Sequence, residues 1–124
     1  MKVLIVDCQT TGAGPAFGRV LEIGWGVACA GSPEPQFAQA HWVTLPEGHV
    51  VPSQVRKLTG YDANASRSEI SESEAWRRLR NALSSTETGS LDSAGTLVPG
   101  ASLPTAIHFA RFELPFLRDW SQRF

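Results

Sequence analysis

Four consecutive apolar residues, Val3, Leu4, Ile5 and Val6, end abruptly at Asp7. A run this short and unbroken reads as a buried central strand. A chain that starts this way has to build a sheet around it. A Gly/Pro-rich connection follows, Thr11-Gly12-Ala13-Gly14-Pro15-Ala16-Phe17-Gly18. Over residues 19–30, Leu21, Ile23, Trp25, Val27 and Cys29 then alternate with Glu22, Gly24, Gly26 and Ala28. Period two predicts a second strand. The turn Gly31-Ser32-Pro33-Glu34-Pro35 leads into a third over residues 37–45, so an antiparallel meander is expected.

The pattern changes after Pro46. Residues 52–60 predict a short helix with Pro52 at its first turn and Gly60 past its end. A longer helix is expected over residues 71–83. There Ser71 and Glu74 have capping-box spacing, and Ala75, Trp76, Leu79, Ala82 and Leu83 form one stripe. Arg77, Arg78 and Arg80, with Glu72 and Glu74, read as its solvated face. Residues 84–104 carry Ser, Thr and Gly without any period, and read as a flexible insertion loop. A short strand over residues 105–109 precedes a last helix over 112–124, where Phe116, Trp120 and Phe124 recur every fourth residue. That helix has no stop signal, which suggests a polypeptide cut short. The order βββααβα implies an α/β fold with a mixed sheet and flanking helices.

The 124 residues suit one domain, and 42% apolar with 19% charged residues is a globular balance. A net charge of −1 provides no general field for coating nucleic acid. It leaves room for a nuclease, where cations supply positive charge at the phosphate. Cys8 and Cys29 fit neither a disulfide framework nor a zinc spacing. Asp7 interrupts the first apolar run too early for a signal peptide, and no run reaches membrane-spanning length. A cytoplasmic protein without membrane contact is the expectation.

The chemistry concentrates at the end of the first strand. Asp7 and Gln9 are two residues apart, so their side chains share a face. Two-metal phosphodiester hydrolysis needs carboxylates converging on ions about 3.5–4 Å apart, and a strand end is a rigid place to hold them. The glycines of the following loop do not match G-x-G-x-x-G, and no helix follows, which argues against a nucleotide-cradling loop.

Asp7-Cys8-Gln9-Thr10-Thr11-Gly12 resembles the D-x-E-T-T-G first motif of the DnaQ-like (DEDD) 3′–5′ exonucleases, which include the DNA polymerase III epsilon subunit and RNase T. Arg19-Val20-Leu21-Glu22-Ile23-Gly24 is similar to the family's second strand, and residues 51–60 to the segment before its long helix. Residues 106–117, Ala-Ile-His-Phe-Ala-Arg-Phe-Glu-Leu-Pro-Phe-Leu, resemble its second motif, roughly A-H-N-A-x-F-D-x-x-F-L. The matches run in order over nearly the whole chain and stop before the last motif.

The resemblance implies a ribonuclease H-like fold lacking its C-terminal part, and release of nucleoside monophosphates from DNA or RNA 3′ ends. It also implies two Mg²⁺ or Mn²⁺ ions. By position, Asp7, Gln9 and Glu113 would be the catalytic and metal-binding residues. Thr10, Thr11, Gly12 and His108 would meet the substrate, His108 through a positioning hydrogen bond. Gln9 stands where the family has Glu, which removes a charge and a hard oxygen ligand. Glu113 stands for Asp and adds about 1.5 Å of reach, and a misplacement of ~1 Å can cost on the order of 10²-fold. The family's last motif, with its His base and further Asp, has no counterpart. Weak or no activity is therefore expected of the chain alone. The rival reading is a non-catalytic module that keeps the fold to bind nucleic acid or a polymerase or repair partner. Read without the family, Gln9 serves as a surface polar residue and Glu113 complements a helix dipole. His41 and His49 have no partners at ligand spacing and receive no role, and a structural role is expected for Glu22.

Overall fold

The computed structural model describes residues 2–84, 104–108 and 110–124. The elements run β1 (Lys2–Thr10), β2 (Val20–Cys29), β3 (Gln36–Val43), α1 (Ser53–Thr59), β4 (Glu69–Ile70), α2 (Glu72–Ser84), β5 (Thr105–Ile107) and α3 (Ala110–Arg123). They form a five-stranded mixed sheet of order β4-β3-β2-β1-β5. The antiparallel meander is present, with Val6 opposite Trp25 and Trp25 opposite Gln39. β5 joins β1 in parallel, Val6 beside Ile107, and the two-residue β4 joins β3 in parallel.

β1 is central, as its apolar run requires, but only one of its faces is sealed. Leu4 and Val6 are buried to within 1% while Ile5 keeps 40% of its surface exposed. Among the described residues the helices cover one side of the sheet, so alternate residues have different fates and the expected two-sided burial does not occur. The covered side gathers Leu4, Val6, Ile23, Trp25 and Val27 under Ala75 and Leu79 of α2 and Phe116, Leu117 and Trp120 of α3. Burying side chains of this size is worth roughly 1.5–3 kcal/mol each, which is why helical stripes and strand alternation agree on one core.

Ser71 caps α2 by accepting the Glu74 N–H at 3.1 Å. The return half of the capping box does not form. The Glu74 carboxylate turns instead to Arg77 and Arg78, which donate to it at 2.6–2.8 Å. Glu72 is not part of the solvated face either. It accepts from Trp120 Nε1 at 3.3 Å and from Arg123 at 2.7 Å, tying α2 to α3. α3 stops one residue before Phe124, which is 48% exposed and carries the Arg123 guanidinium over its ring. The Phe124 N–H still donates to the Trp120 carbonyl at 2.9 Å in the helical pattern, but its ring is exposed, so the buried part of the every-fourth-residue stripe ends at Trp120. α1 ends as expected, with Gly60 at φ 72° donating to the Arg56 carbonyl at 2.9 Å. The helix α2 takes in Ser84, and the rest of the expected insertion loop, 85–103, lies outside the described residues, as does Phe109.

Candidate metal centre

The site forms where three separate stretches of chain meet at the end of β1. The parallel register that sets Val6 beside Ile107 brings the next residues, Asp7 and His108, alongside one another. The His108 N–H donates to the Val6 carbonyl at 3.1 Å and fixes that alignment. His108 Nδ1 then lies 2.9 Å from Asp7 Oδ1. The first turn of α3 delivers Glu113 to the same place, where the Cys8 N–H donates to its carboxylate and Asp7 lies within proton-sharing reach. Ligand atoms of Asp7, His108 and Glu113 all fall within 4.8 Å of one another.

Asp7 and His108 are exposed, whereas Glu113 is 4% exposed. Burial, followed by the charge of Asp7, pushes the Glu113 carboxyl up from 4.5 to about 7, against the lowering effect of the Cys8 amide and His108. Beneath it, burial and then the charges of Glu113 and Asp7 push the Cys8 thiol up to about 12, so Cys8 is an inert neighbour rather than a nucleophile.

Two oxygens at this end of the strand have no hydrogen-bond partner among the described residues, Glu113 Oε2 and Gln9 Oε1, and both are sealed from solvent. A buried acceptor left without a donor costs about 1–3 kcal/mol. Oxygen ligands from carboxylate and amide, with an imidazole nitrogen, are also the donor types that divalent cations take. The residues therefore fit a cation. Asp7 and Gln9 share the strand face opposite the core, as expected, and Gln9 is paired across the sheet with Glu22. Burial first and Asp7 second raise the Glu22 carboxyl, so this residue belongs to the same acidic surroundings. Beside Asp7, a shallow apolar recess of about 200 Å³ is lined by Ile5, Gly24, Gly26 and Ala38 among others.

The loop after β1 is folded tightly against itself. The Thr11 N–H donates to the Arg19 carbonyl at 2.9 Å, and Thr11 Oγ1 accepts the Arg19 N–H at 2.9 Å. A Cβ on Gly18 would come 2.6 Å from the Gly12 nitrogen, so a side chain there is incompatible with this turn. Thr10 Oγ1 donates to the Gly12 carbonyl at 2.8 Å. The Thr11 amide is thus used within the protein. His49, for which no role is expected, hydrogen-bonds Thr11 Oγ1 through Nε2 at 2.7 Å and anchors the loop from 38 residues away. No local pattern marks such a partner.

No family model matches the chain, and no curated protein matches its sequence. Solved structures do. E. coli Exonuclease I in complex with a dT13 oligonucleotide aligns with a TM-score of 0.69 at 16% identity, over 98% of this chain and 24% of that one. A moderately thermophilic Exonuclease I from Methylocaldum szegediense gives 0.70 at 17% identity, over 98% and 23%. The zinc ion bound form of an E. coli ExoI–ssDNA complex gives 0.69 at 16%, over 98% and 23%. The chain therefore spans about a quarter of the length of these proteins. Over that stretch it has their ribonuclease H-like exonuclease fold.

Proposed function

We propose that this chain forms part of a 3′–5′ exonuclease domain that hydrolyses phosphodiester bonds at nucleic-acid 3′ ends with divalent cations. The observation that carries this reading is the convergence of Asp7, His108 and Glu113 within 4.8 Å at the end of the central strand. The fold shared with exonuclease I supports it, as do the single-stranded DNA and zinc ion named for those structures.

In this reading Asp7 and Glu113 hold the cations, and Gln9 adds its side-chain oxygen. Bound cations would neutralise charge on the phosphate and lower the pKa of an attacking water. Asp7, being exposed, is the carboxylate that incoming substrate and ion meet first. Glu113 is held from behind by the Cys8 amide, which fixes the direction of its carboxylate. The recess beside Asp7 provides space for an apolar part of the terminal nucleotide. Thr10, Thr11 and Gly12 form the turn that follows this strand, with His49 holding Thr11 in place.

The test is release of mononucleotides from a 3′-labelled oligonucleotide with Mn²⁺, by this chain and by the longer polypeptide that contains it. Asp7→Ala should abolish release by the active form. Equal activity of Asp7→Ala and its parent would refute the role of Asp7. A second reading, a module that keeps the fold for binding without catalysis, draws on Gln9, where an amide replaces a carboxylate. Absence of saturable Mn²⁺ or Mg²⁺ binding, with binding created by Gln9→Glu, would favour it.

A further inference from the structure

We propose that His108 is itself a cation ligand, which makes the centre a mixed nitrogen–oxygen site selective for zinc-class ions over Mg²⁺. This goes beyond the exonuclease reading, in which His108 meets substrate. It rests on that reading only in assuming that the strand tip binds cations.

The first argument is geometric. Ligand atoms about 2.0–2.2 Å from one metal, at angles between octahedral and tetrahedral, are roughly 2.9–3.4 Å apart. His108 Nδ1 and Asp7 Oδ1 are 2.9 Å apart, a spacing that two neighbouring ligands of one ion also adopt. Coordination needs only that the ring proton reside on Nε2, the tautomer that leaves Nδ1 with its lone pair.

The second argument is the state of the third ligand. Glu113 is 4% exposed, and its Oε2 is sealed without a hydrogen-bond partner among the described residues. The Cys8 amide and Asp7 hold the Glu113 carboxyl, one of whose oxygens lies within 4.8 Å of the Asp7 and His108 ligand atoms, while Oε2 is left for a cation to satisfy. The third argument is the backbone. His108 is held at its amide by the Val6 carbonyl, so the imidazole is presented beside Asp7 by the sheet itself.

Selectivity follows from ligand type. Mg²⁺ demands hard oxygen ligands in octahedral order, whereas imidazole suits zinc and its transition-metal neighbours. The set Asp7, His108 and Glu113 resembles in composition the two-carboxylate or carboxylate–imidazole sets that hold such ions with a position left open for water.

The experiment is titration of the 124-residue chain with Zn²⁺, Mn²⁺ and Mg²⁺ by calorimetry. It is paired with ¹⁵N NMR of the histidine rings and repeated on His108→Ala and His108→Gln. His108 is largely exposed, so both variants should keep the native circular dichroism spectrum. The expected result is a Zn²⁺ affinity that falls in both variants by more than the roughly 10–100-fold that loss of a merely orienting residue costs, with Mg²⁺ affinity changing far less. Zn²⁺ should also move the His108 Nδ1 resonance. Gln can still donate to Asp7, so recovery of Zn²⁺ affinity in His108→Gln would show a positioning role and overturn the proposal. Unchanged Zn²⁺ affinity in His108→Ala, or an unmoved Nδ1 resonance, would overturn it too. If the ion binds through His108 but no form of the protein releases nucleotides, the exonuclease reading fails while this inference stands.

Discussion

Within β1, Leu4 and Val6 sit in contact with α2 and α3 and are almost wholly buried, while Asp7 is exposed next to His108 and the partly satisfied Glu113. The two regions are separated by a single residue along the strand. In the first, every group has found the environment it prefers: apolar side chains out of water, ladder hydrogen bonds made on both edges. In the second, a carboxyl is buried next to another carboxyl, and two acceptor oxygens are left without donors among the described residues. The core is arranged for stability, and the strand tip is arranged against it. Departures of this kind gather where a protein binds or reacts, because the missing partner is supplied from outside.

Truncating the core should therefore destabilise the chain, whereas neutralising the buried carboxyl of Glu113 should stabilise it. Trp120→Ala should have the largest effect. It opens a cavity under the sheet and removes the indole N–H that Glu72 accepts, and should cost about 3–5 kcal/mol in urea unfolding. A loss below about 1 kcal/mol would mean that α3 contributes little to the core.

Glu113→Gln should act in the opposite direction. The folded chain holds the Glu113 proton up to about pH 7, whereas the unfolded chain releases it near 4.5. Below pH 4.5 both states are protonated and there is no penalty. Between these values the folded state binds more protons, so stability falls as pH rises through that window, and the penalty is complete above about 7. Removing the charge should stabilise the cation-free chain at pH 8 by on the order of 2 kcal/mol, with little effect at pH 4. The same change should weaken Mn²⁺ binding at least about tenfold. Equal stability of parent and variant at both pH values would show that Glu113 is not strained.

Gln9→Glu should give the smallest stability effect. It places a carboxylate directly across the sheet from Glu22, and like charges in such a pair cost about 0.2–1 kcal/mol. Cation affinity should rise, because the new group is a charged oxygen ligand. Unchanged affinity would place position 9 outside the centre.

Much of the fold was legible in residue order. The meander came from period two in β2, and α2 from its stripe and from Ser71. Glu72 and Phe124 depart from their expected surroundings for related reasons. A charged residue on a helix looks solvated until a neighbouring helix supplies Trp120 and Arg123, and an aromatic in step with a stripe is buried only where another element covers it. β4 has only two residues, too few for any periodicity. Near the end of the first strand, the shared face of Asp7 and Gln9 is legible from period two, whereas Glu113 enters only through motif resemblance.

Residue order is enough to show which segments alternate or repeat, and hence which strand carries Asp7, because burial on one side imprints a period on neighbouring residues. Packing of the whole chain sets His108 against Asp7 across 101 positions and His49 against Thr11. It also buries Glu113. Those contacts depend on how a parallel strand registers and where a helix starts, and a pairing between distant residues leaves no periodic trace in either partner.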